Sequence, residues 1–262
     1  MAKTVAKMFL PSLVFISTFA GATLIPPHFR NAVVALGSMN PIVTPGQIAL
    51  PGQPCAWTTE GTGFLYGYLV QNDPEASKRQ YEVYLVTNRH VITEHTAALA
   101  IAKLRRPPQT EMECGSPLPK EDIIKVRMNP LNSSLRGREF DLPIKNWFYH
   151  QNNGIDIAAI RLNAGYLKTE GILDVFFQND DMVYRKDQLK AKGVAAGDGV
   201  FVLGFPMNLA GMQRNYVIVR QGCIARISDM LDGQSTSYLL DAWFCQLGLA
   251  PFDHLIWPHL SY

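Results

Sequence analysis

Tyr84-Leu-Val-Thr-Asn-Arg-His90-Val-Ile92 is the stretch that decides how the chain reads. A β-branched and aromatic strand, predicted over 81–87, runs directly into a polar Thr-Asn-Arg-His turn. A histidine at the end of a rigid strand is readily held as a general base, the other reading being a structural or merely exposed histidine. Outward from this point, short runs rich in Val, Ile, Tyr and Phe recur between Gly, Pro and Asn. They predict further strands at 32–37, 62–70, 97–103, 123–128, 155–162, 199–204, 216–227 and 238–240. No amphipathic helix of three turns competes with them, and the best helical candidate, 184–192, is short and charged. Many short strands with polar loops predict an all-β sandwich or barrel. The Pro-rich, charged stretch 104–119 reads as a surface loop, and so does 130–141. A second lobe is expected to start near Arg161, with the strand pattern resuming after a long connection over 163–197.

The composition narrows the classes of function. Of 262 residues, 47% are hydrophobic and 18% charged, which excludes wholesale disorder. Only the amino-terminal stretch is apolar enough and long enough to concern a membrane, which excludes a multi-span protein. A formal charge of +2 carries no electrostatic footprint for nucleic acid. The basic cluster at 103–106 lacks interleaved aromatics and reads as a solvated loop end.

Residues 1–22 read as a targeting segment. Lys3 and Lys7 precede an apolar run over 8–20, and Ala20-Gly21-Ala22 fits the small-x-small cleavage rule. The pattern predicts a cleaved secretory signal or an uncleaved anchor, followed by a linker over 23–31. The expected location is therefore exported, periplasmic or secreted. Losing two lysines and no acid brings the formal charge from +2 to zero. Export implies an oxidising compartment, which permits disulfides among Cys55, Cys114, Cys223 and Cys245. Three pairings are open, as are free buried thiols. No C-x-x-C spacing suggests a zinc ribbon or a redox motif.

Two further stretches carry candidate chemistry. In Asn152-Asn-Gly-Ile-Asp156-Ile-Ala-Ala-Ile-Arg-Leu162, an acid sits in an otherwise apolar strand. Buried acids need a partner, and an Asp beside a His would hold the imidazole tautomer. The other reading is an Asp at a strand edge facing water. In Gly197-Asp-Gly-Val-Phe-Val-Leu-Gly-Phe-Pro206, a glycine-rich turn launches a strand rather than a helix, so it is no phosphate cradle. His90 and His95 stand five apart, about 140° around a helix, which is the wrong spacing for a zinc-peptidase helix. His28, His150, His254 and His259 show no ligand spacing. No metal or cofactor is expected.

Taken in order, these pieces resemble the trypsin-like serine peptidases, in particular their bacterial HtrA-type branch. Residues 32–37 (AVVALG) resemble the family's first strand, and Gly61-Thr-Gly-Phe64 resembles its G-T-G-F strand. Thr87-Asn-Arg-His90-Val resembles the T-x-x-H motif, and Gly154-Ile-Asp156-Ile-Ala158 the D-[IL]-A motif. Gly204-Phe-Pro206 and Val219-Arg-Gln-Gly-Cys-Ile-Ala-Arg-Ile227 resemble elements of the second barrel. The resemblance implies a chymotrypsin-like double six-stranded β-barrel over 32–242, with the site in the cleft between barrels. It implies His90 as the base, Asp156 as its orienter and a protein or peptide substrate. Two backbone N–H groups near the serine would bind the oxyanion, each worth roughly 3–4 kcal/mol.

The family's third residue is missing. Tyr238-Leu-Leu-Asp-Ala242 matches the strand before the nucleophile, but Trp-Phe-Cys-Gln-Leu-Gly-Leu-Ala-Pro-Phe-Asp-His254 follows, with no Gly-Asn-Ser-Gly. Back-translated and read one base later, residues 243–252 permit Gly-Phe-Ala-Asn-Ser-Gly-Ser-Pro-Leu. This predicts a frameshift near codon 243, an aberrant tail over 243–262 and an incomplete second barrel. The serine would fall near Leu247. The chain as written is expected to be inactive. Two alternatives stand beside it: a non-catalytic pseudoprotease that binds a partner, and a cysteine-type peptidase using Cys245. Ser235 lies in a turn at the wrong end of the last strand.

Overall fold

The computed structural model describes residues 25, 27–42, 53–105, 112–113, 116–117, 121–172 and 176–242. The predicted leader over 1–22 and the tail over 243–262 lie outside them, as do Cys114, Cys245 and Leu247.

The described chain is mostly β. The short α1 (Pro27–Asn31) leads into β1 (Val33–Pro41), β2 (Cys55–Gln71) and β3 (Gln80–Thr87), and then α2 (Arg89–Arg105). Two-residue strands β4 (Met112–Glu113) and β5 (Ser116–Pro117) pair with each other. They are followed by β6 (Ile123–Met128), β7 (Arg138–Pro143), β8 (Phe148–Tyr149) and β9 (Ala158–Arg161). After α3 (Ala164–Thr169), β10 (Phe177–Gln178) and α4 (Lys186–Ala191) come β11 (Gly199–Gly204) and β12 (Ile218–Arg226). The described chain closes with α5 (Ser228–Leu231) and β13 (Leu239–Ala242).

The first sheet runs β7-β6-β1-β2-β3-β9-β8, with β10 added in parallel to β2, and it curls into a half-barrel. Strand β2 organises it, because its 17 residues pair with β1 on one side and β3 on the other. Side chains alternate across a strand. Leu65 therefore joins Leu36, Leu85 and Ile124 in the main core, while Phe64 and Tyr66 meet Val86 and Phe177 on the opposite face. A second, three-stranded sheet runs β11-β12-β13 around Val200, Ile224 and Leu240.

Two devices join the sheets. Phe205 and Ala210, in the β11–β12 connection, pack on Val33 and Ala35 of β1. Arg127 of β6 is 1% exposed and donates to Asn215 Oδ1 at 2.9 Å and to the Gly211 carbonyl at 2.7 Å. Its guanidinium carbon also lies 4.8 Å from the Trp57 ring centroid.

The strands expected at 123–128 and 199–204 stand as predicted. The largest correction is α2. Residues 97–103, expected as a strand, belong to a 17-residue helix. Four of its residues (Ala97, Ala98, Ala100, Ala102) are alanine, the best helix former, and propensity outweighs the apolar run. The expected strand over 155–162 begins only at Ala158, so Asp156 sits on a loop rather than within a strand. The loop expected over 130–141 already enters β7 at Arg138. The short helical candidate over 184–192 forms a helix over Lys186–Ala191, α4. The connection over 163–197 contains α3, β10 and α4, and β10 still belongs to the first sheet. Among the described residues no helix is long and apolar enough to cross a membrane.

Candidate active site

His90 owes its position to the change of direction after β3. Thr87 ends the strand fully buried, and its hydroxyl donates to the Thr62 carbonyl at 2.9 Å. Asn88, also buried, makes the turn, and α2 starts at Arg89. The glycines around Thr62 make room for this junction. A Cβ on Gly61 would lie 2.7 Å from both γ-methyls of Val91, in the first turn of α2. One on Gly63 would lie 2.7 Å from a Leu85 methyl.

Asp156 arrives from the other direction, on the loop between β8 and β9. Asn152 shapes that loop: its side-chain oxygen accepts from Gly154 N at 2.9 Å, and its carbonyl from Ile155 N at 3.0 Å. The loop sets the Asp156 carboxylate across the start of α2. Oδ1 accepts from the backbone N–H of His90 at 2.9 Å. Oδ2 lies 2.5 Å from His90 Nδ1 and accepts from Asn88 Nδ2 at 3.0 Å. Two residues 66 apart in sequence are thus held at two points.

Burial works to raise the Asp156 pKa. The hydrogen bonds from the His90 ring, the His90 backbone and Asn88 outweigh it, so the carboxyl is held below its ordinary range. An ionised Asp156 draws the imidazole proton to Nδ1 and leaves the basic lone pair on Nε2. The two side chains are 31% and 33% exposed, so solvent reaches the pair. On the rim, Arg89 donates to Asn153 Oδ1 at 2.7 Å and lies 5.3 Å from the Tyr149 ring centroid. This arrangement can take a proton from a group presented to Nε2 and return it to a leaving group.

The structure brings His90 and Asp156 together. It does not describe Leu247 or Cys245. Ser235 lies in the turn between α5 and β13, with its hydroxyl on the Ser237 carbonyl at 2.9 Å. Cys55 is disulfide-bonded, and Cys223 is a half-buried free thiol on β12. Among the described residues no three His, Cys, Asp or Glu side chains gather as a metal site.

Two contributors escaped the sequence reading. Asn88 looked like an ordinary turn residue, and spacing carries no sign that an amide is buried against a distant acid. His95, considered only as a zinc ligand, is 4% exposed and meets Glu60 Oε2 through Nδ1 at 2.5 Å. Its Nε2 faces the Ile123 carbonyl at 2.8 Å. No family model matches the chain, and neither a curated protein nor a solved structure matches it.

Proposed function

We propose that the chain carries the base and orienter of a trypsin-like serine endopeptidase, His90 and Asp156, in a double-barrel framework. The observation that carries this reading is the two-point hold of one carboxylate on the ring and the backbone of one histidine. The backbone contact fixes the carboxylate, and the carboxylate in turn orients the ring and its tautomer through Nδ1. In the proposed reaction His90 Nε2 takes the proton of a serine hydroxyl as the oxygen attacks a peptide carbonyl. The same proton then passes to the leaving amine, while Asp156 stabilises the imidazolium between the two steps.

Residues 243–262 contain no Gly-Asn-Ser-Gly, so the family's nucleophile motif is not among these 262 residues. That sequence observation favours a second reading, a pseudoprotease that binds a protein partner without cutting it. Export is part of the proposal, and the disulfide at Cys55 suits an oxidising compartment.

The test compares two proteins. One is the 262-residue chain. The other is the product of the shifted frame from codon 243, provided that frame stays open. The first is expected to take no label from a fluorophosphonate probe. The second is expected to be labelled and to cut casein, and to lose both activities in His90→Ala. An open shifted frame whose product is unreactive, or whose hydrolysis survives His90→Ala, would overturn the peptidase reading. A closed frame with a soluble, cooperatively folding chain would favour the binding module.

A further inference from the structure

We propose that Asn88 is a positioning residue for His90: its amide fixes the Asp156 carboxylate in the orientation that meets both the ring and the backbone of the histidine. The inference rests on reading His90 and Asp156 as a proton-transfer pair.

Three observations carry it. Asn88 is 1% exposed, so its amide is buried within the fold. Its Nδ2 donates to Asp156 Oδ2 at 3.0 Å and to the Asp156 carbonyl at 3.4 Å, holding side chain and backbone together. Among the described residues its Oδ1 is buried without a hydrogen-bond partner. A buried acceptor left empty is costly, and satisfied polar groups are the rule. The fold accepts that cost in the orientation that turns the donor end to Asp156. The carboxylate carries one donor on Oδ1, His90 N, and two on Oδ2, His90 Nδ1 and Asn88 Nδ2. Without Asn88, Oδ2 would depend on the ring alone, and only His90 N on Oδ1 would limit rotation of the carboxylate. No other described side chain donates to Asp156.

The experiment uses the full chain, isotopically labelled, and reads two signals by NMR. One is the pH midpoint of the Asp156 carboxyl carbon. The other is the low-field proton on His90 Nδ1. Wild type is expected to show an Asp156 midpoint below the ordinary carboxylate range and a sharp low-field proton. Asn88→Ala should raise the midpoint by about one pH unit and broaden or abolish the proton. Asn88→Ser, which keeps a donor on a shorter arm, should restore part of both. A merely structural Asn88 would lower the melting temperature of Asn88→Ala and leave both signals in place, and that result would overturn the proposal.

Should Asn88→Ala not fold, wild type alone decides. The Asn88 side-chain N–H resonances are expected to move with the Asp156 midpoint, and resonances blind to it would also overturn the proposal. An ordinary Asp156 midpoint in wild type, without the low-field proton, sinks the His–Asp pair itself. A displaced midpoint that Asn88→Ala leaves untouched sinks only the role of Asn88.

Discussion

Glu60 fills the extra position of a bulge in β2, and from there its Oε2 lies 2.5 Å from Nδ1 of His95. Leu36 faces Gly61 and Gly37 faces Thr59, which leaves Glu60 without an opposite residue on β1. A bulge re-aims the side chain it carries. Here it turns a carboxylate onto α2, while the Ser38 hydroxyl donates to the other oxygen at 2.5 Å. With Ile123 O beyond Nε2, both ring nitrogens of His95 face acceptors, which favours the doubly protonated ring.

A first prediction concerns alkaline stability. Burial alone would depress the His95 pKa. The Glu60 carboxylate and the Ile123 carbonyl, with Asp122 beyond, outweigh it and raise the pKa above the ordinary histidine value. A raised folded pKa contributes stability that is complete below the unfolded value, about 6.5, and is lost as pH rises through the folded value. Urea midpoints should therefore fall on the alkaline side of neutrality. His95→Gln should flatten that slope, and His95→Ala should cost roughly 3–5 kcal/mol at neutral pH. An alkaline slope unchanged in His95→Gln would contradict the assignment.

Asp156 acts with the opposite sign. Its folded pKa is lowered, so its contribution is present above the unfolded value of about 3.9 and is lost as pH falls through the folded one. Asp156→Asn should be the less stable protein at neutral pH, and the two should converge in acid. Chemical denaturation at both ends of the range checks this, and a gap that persists in acid would refute it.

Gly61→Ala tests the fit between β2 and α2. The added methyl would meet both γ-methyls of Val91 at 2.7 Å. Overpacking of this kind costs about 1–3 kcal/mol. Since Val91 follows His90, the variant should also broaden the His90 Nδ1 proton. Restoring space with Val91→Ala should recover that signal, while continued broadening would place the cause elsewhere.

Arg127→Met tests the clasp between the sheets. It keeps the length of the side chain but leaves Asn215 Oδ1 and the Gly211 carbonyl without their donor. A loss of about 2–4 kcal/mol is expected. The loop over 209–216, with Met212 at 94% exposure, should become the first site of limited proteolysis. Arg127→Lys should recover less than half, because a single ammonium cannot reproduce the guanidinium fork. Full recovery by lysine would show that charge alone suffices.

Much of the sheet was legible because its strands are short apolar runs bounded by turn residues. The runs at 123–128 and 199–204 show this most directly. Helix α2 was not legible, because the stripe it buries, Val91, Ile92 and His95, places a histidine where the pattern calls for an apolar residue. The same polar residue hid Glu60, whose inward turn depends on a bulge that alternation cannot display. His90 and Asp156 could be paired from sequence only through the order of motifs. The contact that joins them depends on a loop bend at Asn152 that spacing does not encode.

The pairing of β1 with β6 sets a timetable for the chain. Leu36 finds its partner, Val126, 90 residues later. At roughly 5–20 residues per second, synthesis leaves β1 waiting for about 5–20 seconds. During that interval β1, β2 and β3 form an open meander with one flank unpaired, and long-range pairing of this kind folds slowly in any case. Until β6 arrives, that flank of β1 stays open to pairing with any other strand. The chain therefore needs protection against neighbouring copies, whose own β1 strands present the same unfilled flank.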